Sequence, residues 1–305
     1  MAKHPRNPVH GWVALDKPYG MTSTQALARV RHLFNAEKAG HGGTLDPLAT
    51  GLLPIALGEA TKTVPFAMDG RKVYRFTVRW GEERSTADLE GEVTASSVTR
   101  PSRAEIEAVL PRFVGEIMQV PPAFSAIKVD GARAYDLARA GEAVELAARP
   151  VHIEALRLLE TPDADHASFE VACGKGTYIR SLAQDMGRAL GAFGHVAALR
   201  RIAVGPFREA HMISLEKLGE LGHKAPGGNA TTGVLLPIET VLDGIPALAV
   251  DVEQARRLRL GQAVLLRGAN APIAEDAVLV TCGGHPVGIG AIGEGTLKPK
   301  RLFNL

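Results

Sequence analysis

Only two of the 305 residues are cysteine, Cys173 and Cys282, and they form neither a Cys-x-x-Cys pair nor a zinc-type spacing. That excludes a disulfide framework and a thiolate metal site, and it fits a reducing compartment in which both thiols are small buried residues. A large excess of one charge is also missing, with 35 basic against 33 acidic residues, so total charge announces no polyanionic partner. No apolar run approaches the length of a membrane span, and the basic N-terminus lacks the apolar core of a signal peptide. The expectation is a cytoplasmic protein that does not meet a membrane. Internal repeats and low-complexity tracts are absent too. The apolar fraction, 46%, is ordinary for a folded globular chain, and the length exceeds what one compact domain needs.

What is present is uneven. Residues 1–40 carry Lys3, Arg6, Lys17, Arg29, Arg31 and Lys38 against Asp16 and Glu37, and Lys298, Lys300 and Arg301 make a basic tail. Such patches bind phosphates even at low net charge, though solvated surface is an equally good reading of the tail. The most informative stretch is Gly-His-Gly-Gly-Thr-Leu-Asp-Pro-Leu-Ala-Thr-Gly at 40–51. It holds Asp46 in a glycine-bounded loop, five residues after His41, with Pro47 pushing the acid out of helical geometry. Taken alone this is an Asp-Pro turn. Followed by the apolar run 52–57, it also suits a reacting carboxylate on a rigid scaffold.

Periodicity gives the frame. Residues 13–15 read as a strand, and Thr22, Ser23 and Thr24 are candidate caps for a helix carrying Ala26, Leu27, Val30 and Leu33. Tyr74, Phe76, Val78 and Trp80 alternate with Arg75, Thr77 and Arg79, a strand with its apolar face inward. Ser102 opens an amphipathic helix to 113, residues 151–160 and 167–173 are strands, and 177–190 is a helix closed by Gly191. Residues 222–233 read as a loop. After a boundary near 243–246 come a helix at 252–260 and short strands at 263–266, 278–280 and 287–292. Gly174-Lys175-Gly176-Thr177 is not a phosphate-binding P-loop, because Phe169 and Gly176 stand where that motif requires glycine and Ser or Thr.

The segment GHGGTLDPLATGLLPIALGEATK resembles the catalytic segment of the TruB-type pseudouridine synthases. The likeness continues in VALDKPYGMTS at 13–23, KVYRFTVRWG at 72–81, CGKGTYIRSLAQDMG at 173–187 and LRRIAVGPF at 199–207, in the family's order. It implies an α+β catalytic domain at 1–245 with a mixed, mainly antiparallel sheet. An insertion about 121–150 would close over RNA, and a small β-rich PUA-like RNA-binding domain would occupy 246–305. The implied activity is isomerisation of uridine 55 in the tRNA T-arm, by a monomer with no obligate protein partner, cofactor or metal. Breaking a C–N glycosidic bond and remaking it as C–C needs no redox group, only a placed carboxylate.

Residue by residue, the resemblance makes Asp46 the essential acid, Arg180 its partner and Tyr74 the platform on which the extruded base stacks. Attack on the ribose, attack on the base and removal of a ribose proton all remain open to Asp46, the last being favoured. Arg180 is independently conspicuous. A cation in the first turn of a helix opposes the helix dipole and suggests an anionic neighbour. A snorkelling surface arginine is the ordinary alternative. The resemblance adds His41, Tyr178, Leu199 and Lys17 as substrate-pocket residues, Lys17 chiefly supporting the catalytic loop. Lys128, Arg133, Arg139, Arg200 and Arg201 are candidate RNA-backbone contacts. The sequence departs from the family pattern at Gly42, expected to loosen the His41 loop. It departs again at Arg84-Ser85-Thr86, expected to be a surface turn clear of the pocket. Two rivals stand beside the enzyme: a non-catalytic tRNA-binding or folding protein, and an RNA-guided pseudouridine synthase.

Overall fold

The computed structural model describes residues 6–122, 128–129, 132–133, 146–223, 232–267 and 272–305. Its centre is a ten-stranded sheet. The main path runs from Ile213–Ser214 through Gly11–Lys17, Thr50–Leu57, Gly194–Val204, Lys72–Trp80, His166–Cys173 and Arg149–Asp163 to Gly115–Gln119. Most neighbours are antiparallel. Two pairs are parallel: Gly11–Lys17 with Ile213–Ser214, and Thr50–Leu57 with Gly194–Val204. The sheet is therefore mixed and mainly antiparallel, as the resemblance implies.

The two-residue period at 72–80 places Tyr74, Phe76, Val78 and Trp80 in the main core with Phe169, Val171 and Leu182. Arg75 and Glu170 lie on the other face and pair at 3.0 Å. Helix Ser23–Leu33 starts at Thr22, whose hydroxyl accepts from Gln25 N while Gln25 reaches back, a complete capping box. Ser102 and Glu105 make the same box for helix Arg103–Val109, which tightens into a 3-10 turn at Leu110–Phe113. Helix Ile179–Ala189 packs Ile179, Leu182, Ala183 and Met186 on the core.

The thin contact between Thr50–Leu57 and Gly194–Val204 positions the site. They pair only at Thr50–Arg200 and Gly51–Arg201. Beyond that point they diverge, and the 42–49 loop sits where the sheet opens. Gly51 makes this approach possible. Its φ is +95°, and a Cβ there would fall 2.3 Å from the Arg201 carbonyl oxygen.

A second, five-stranded sheet runs Ala247–Ala249, Glu275–Cys282, His285–Gly293, Thr296–Leu302, Val264–Leu265, with helix Val252–Arg259 capped by Asp251. Two of its strands, 247–249 and 296–302, are absent from the sequence expectation. The second contains Pro299 and three cations and reads as a basic tail, yet Leu297 is fully buried and Phe303 follows it into the core. Phe303 and Ile289 join Trp12, Phe207, Ile238 and Leu242 in one apolar cluster, which ties this sheet to the first. Among the described residues no helix is long and apolar enough to cross a membrane.

Candidate active site

Asp46 accepts two bonds from Arg180, Nε to Oδ2 at 2.9 Å and Nη2 to Oδ1 at 3.3 Å. This is the fork-on-carboxylate geometry that fixes both partners in one plane. The Arg180 side chain is 5% exposed and that of Asp46 is 38% exposed, so the cation is inside and the acid faces out. The first-turn position of Arg180 is confirmed, since Tyr178 is the N-cap residue. The anionic neighbour expected from its placement is Asp46.

A second carboxylate meets the same guanidinium. Asp88 Oδ2 lies 3.8 Å from Arg180 Nε, and Arg180 Nη1 donates to the Thr86 carbonyl at 2.9 Å. The 84–88 stretch thus reaches the site, which corrects its reading as a surface turn clear of the pocket. Ala87 at its centre has φ +62° and is 1% exposed, and its carbonyl accepts from Val196 N at 2.9 Å. A non-glycine residue held in the left-handed region marks a turn whose shape the surroundings dictate. That contact across the chain is what brings Asp88 in.

Asp46, Leu48, Ala49, Asp88, Arg180 and Val196–Leu199 line one cleft. Leu199 stands among these lining residues. The cleft is shallow and open to solvent at its mouth, where Asp46 lies. Tyr74 is 9% exposed and lies in the core beside the cleft rather than on its open wall. Burial pushes its hydroxyl pKa up, while the Arg201 guanidinium nearby draws it down.

Three buried polar groups hold the Asp46 loop. Lys17, fully enclosed, donates from Nζ to the carbonyls of Met21 at 2.6 Å, Pro18 at 2.9 Å and Pro47 at 3.2 Å. Desolvation lowers its pKa to about 8, against the pull of Asp46 and with the push of Arg201. Ser23 does not cap its helix. Its hydroxyl accepts from Leu45 N at 2.8 Å and donates to Leu45 O at 3.0 Å. Arg201, 1% exposed, donates to the carbonyls of Leu52, Gly43 and Thr44. With that burial it offers no surface to a phosphate, and its assignment as an RNA-backbone contact is corrected. Arg200 remains half-exposed, with its charge shared between Asp16 at 2.9 Å and Glu209 at 3.3 Å.

At the start of the helix that carries Arg180, Gln119 is the residue sequence reasoning missed. Buried at 1% exposure, it donates from Nε2 to Tyr178 O at 3.1 Å and accepts from Tyr178 N at 2.8 Å. It fixes the turn leading into Arg180. His41 is half-buried on the three-residue strand Ala39–His41, its Nδ1 has no hydrogen-bond partner, and burial lowers its pKa. Gly42 does not loosen this segment. A Cβ there would lie 2.8 Å from Ala67 Cβ and 3.6 Å from the Trp12 ring, so glycine marks tight packing. Lys128 and Arg133 pair in a two-residue ladder. Their side chains, and Arg139 entirely, lie outside the described residues.

Comparison with known proteins gives three family matches: the TruB family pseudouridylate synthase N-terminal domain at residues 31–179, the tRNA pseudouridylate synthase B C-terminal domain at 180–243, and the pseudouridine synthase II TruB C-terminal region at 246–303. The tRNA pseudouridine synthase B of Bradyrhizobium diazoefficiens is 61% identical over 301 residues, covering 98% of this chain and 87% of that protein. That of Brucella melitensis is 55% identical over 311 residues, covering 97% and 96%. Among solved structures, a Cbf5-Nop10-Gar1 complex matches with a TM-score of 0.73 and 25% identity, over 96% of this chain and 84% of that one.

Proposed function

The chain belongs to the TruB family of pseudouridylate synthases, and on that premise we propose that it converts uridine 55 in the T-arm of tRNA to pseudouridine with Asp46 as the reacting carboxylate. The observation that carries the assignment is the Asp46–Arg180 fork at the mouth of an apolar-walled cleft. In the reaction the N1–C1′ bond breaks, uracil turns, C5–C1′ forms, and the C5 proton leaves as N1 gains one. Composition is unchanged, so the work is positioning and charge stabilisation. Arg180 fixes both oxygens of Asp46, leaving the acid free only along the cleft. Removal of a ribose proton by that carboxylate is the step we favour.

Tyr74 is the stacking surface once the cleft opens, and Tyr178 and Leu199 bound the base. Lys17 acts through the loop rather than on substrate, consistent with its three backbone acceptors. Residues 1–245 form the catalytic unit, and 246–305 a PUA-like unit that adds RNA contact. The protein works as a monomer on free tRNA in the cytoplasm.

The test is release of the hydrogen at uracil C5 from tRNA incubated with the purified chain. Asp46→Asn abolishes release and retains tRNA binding. A non-catalytic tRNA folding protein gives no release with either chain, and an RNA-guided enzyme gives none on a naked T-arm stem-loop without added components.

A further inference from the structure

Arg201 carries a full charge with almost no contact with solvent, in a position where a phosphate cannot reach it. An unpaired buried cation is among the costliest arrangements a fold can hold, so its partners indicate its purpose. Nε donates to Leu52 O at 2.8 Å, Nη2 to Gly43 O at 2.9 Å and Nη1 to Thr44 O at 3.4 Å. Gly43 and Thr44 precede Asp46, and Leu52 follows it. One rigid fork therefore spans both stems of the loop that carries the acid. At Gly51 a Cβ would fall 2.3 Å from the Arg201 carbonyl oxygen, so glycine lets that stem pair directly with the Arg201 backbone. At Gly43 the requirement is conformational, φ +113°, rather than one of space.

We propose that Arg201 is a positioning residue for the isomerisation: its guanidinium joins the two stems of the 43–52 loop and so sets where Asp46 meets the ribose. The proposal rests on the reading of Asp46 as the reacting group. Backbone carbonyls are the acceptors, so the role depends on the planar five-donor fork and not on charge alone. A lysine ammonium is a compact point charge that cannot span the same acceptors. The loop's other anchors, Lys17 and Ser23, grip it at Pro47 and Leu45. The backbone ladder between the stems ends at Gly42 N donating to Pro54 O at 2.8 Å, and Arg201 carries the link beyond it to Gly43, Thr44 and Leu52. The same charge bears on Tyr74 and His41, so the fork also ties the stacking platform to the loop.

The experiment compares Arg201→Lys, Arg201→Met and Arg201→Ala with wild type and Asp46→Asn, by thermal unfolding, tRNA affinity and single-turnover C5 release. The expected result is folded variants whose kcat falls roughly 100-fold, in Lys as in Met, with KM within about threefold of wild type. Guanidinium ion at millimolar concentration should return about tenfold or more of the lost rate to Arg201→Ala, and ammonium should return none. A merely structural role would lower the unfolding temperature without this split or this selectivity. The proposal is overturned by wild-type kcat in Arg201→Lys, by a raised KM at unchanged kcat, by a folded Arg201→Ala that ignores guanidinium, or by failure of all three variants to fold. Retained turnover in Asp46→Asn would instead sink the underlying assignment of the acid.

Discussion

The Asp88 carboxylate lies 3.8 Å from the same Arg180 nitrogen that bonds Asp46 at 2.9 Å. One guanidinium is thus oriented by two acids, one of them 38% exposed to the cleft and the other only 9%. Asp88 is itself fixed, accepting from Thr86 Oγ1 and from Glu90 N. It holds Arg180 against the inner wall so that the outer face of the fork is left for Asp46. Asp88→Asn keeps the shape and removes the charge. Its kcat should fall roughly 10- to 100-fold, the usual scale for a group that orients another, with tRNA affinity unchanged. Single-turnover rates beside binding titrations decide this. An unchanged rate would mean that Arg180 is oriented without the Asp88 charge.

Lys17 supplies a pH dependence with a definite sign. Its pKa is lowered by burial from 10.5 to about 8. Between those values the folded chain binds fewer protons than the unfolded one, so this group's contribution to stability improves as pH rises through 8. Activity moves the other way. A neutral amine keeps only two N–H donors for its three carbonyl acceptors, and the loop at Pro47 loosens. The rate of C5 release should therefore fall above a midpoint near pH 8 while the unfolding temperature does not. Lys72 has a similarly lowered pKa from its own burial, so variants must separate the two. Lys17→Arg should move the alkaline limb upward, and Lys72→Arg should leave it in place.

These two cases show why part of the site was legible in the sequence and part was not. Arg180 could be found because a cation in a helix's first turn contradicts a local rule, and the contradiction pointed to an acid. Tyr74, Phe76, Val78 and Trp80 declared their shared face by period alone. Asp88 obeys no local rule. It arrives through the turn at Ala87 and a contact with Val196 that is distant in sequence. Arg201 misled for the opposite reason. Adjacent arginines look alike in a string of letters, yet a strand sends them to opposite faces, Arg200 to Asp16 at the surface and Arg201 to three buried carbonyls. The basic run at 298–301 failed in the same way, because an exposed charge on a paired strand and one on a free tail are spelt identically.

Gln119 offers a test of how the start of the Arg180 helix is held. Its amide satisfies both the N–H and the carbonyl of Tyr178, where the chain turns into the helix bearing Arg180. Gln119→Leu keeps similar bulk and removes the acceptor of Tyr178 N. Tyr178 O keeps its helical bond from Leu182 N at 3.1 Å, so the loss is about 1–3 kcal/mol for the one group affected. The unfolding temperature should drop by several degrees, roughly 2–4 °C per kcal/mol for a domain of this size. Turnover should fall as well, because Arg180 shifts with its helix start. Gln119→Glu preserves one bond and should lie between wild type and Gln119→Leu in both measurements.

Phe303 tests how the second sheet is held. The ring is 3% exposed and shares a cluster with Trp12, Phe207 and Ile289, while the next residue, Asn304, donates its backbone N–H to Glu59 Oε2 at 2.7 Å. Lys62 bonds both Glu59 and the Leu302 carbonyl, closing a small network around the end of the Thr296–Leu302 strand. Glu59 has its pKa lowered: burial pushes it up, but the bonds from Lys62 and Asn304 outweigh that effect. By sign, this part of the anchoring is present at neutral pH and is lost as pH falls through the lowered value. Phe303→Ala removes the aromatic plug and should cost about 3–5 kcal/mol of local stability. The Asp46 site lies across the first sheet from this contact and draws none of its hydrogen bonds from it. Hydrogen exchange should therefore accelerate in 275–302 before it changes in the 43–52 loop, with C5 release from a short T-arm stem-loop close to wild type. Equal acceleration in both regions would show that the two sheets unfold as one unit, and the anchor would then be part of the catalytic core.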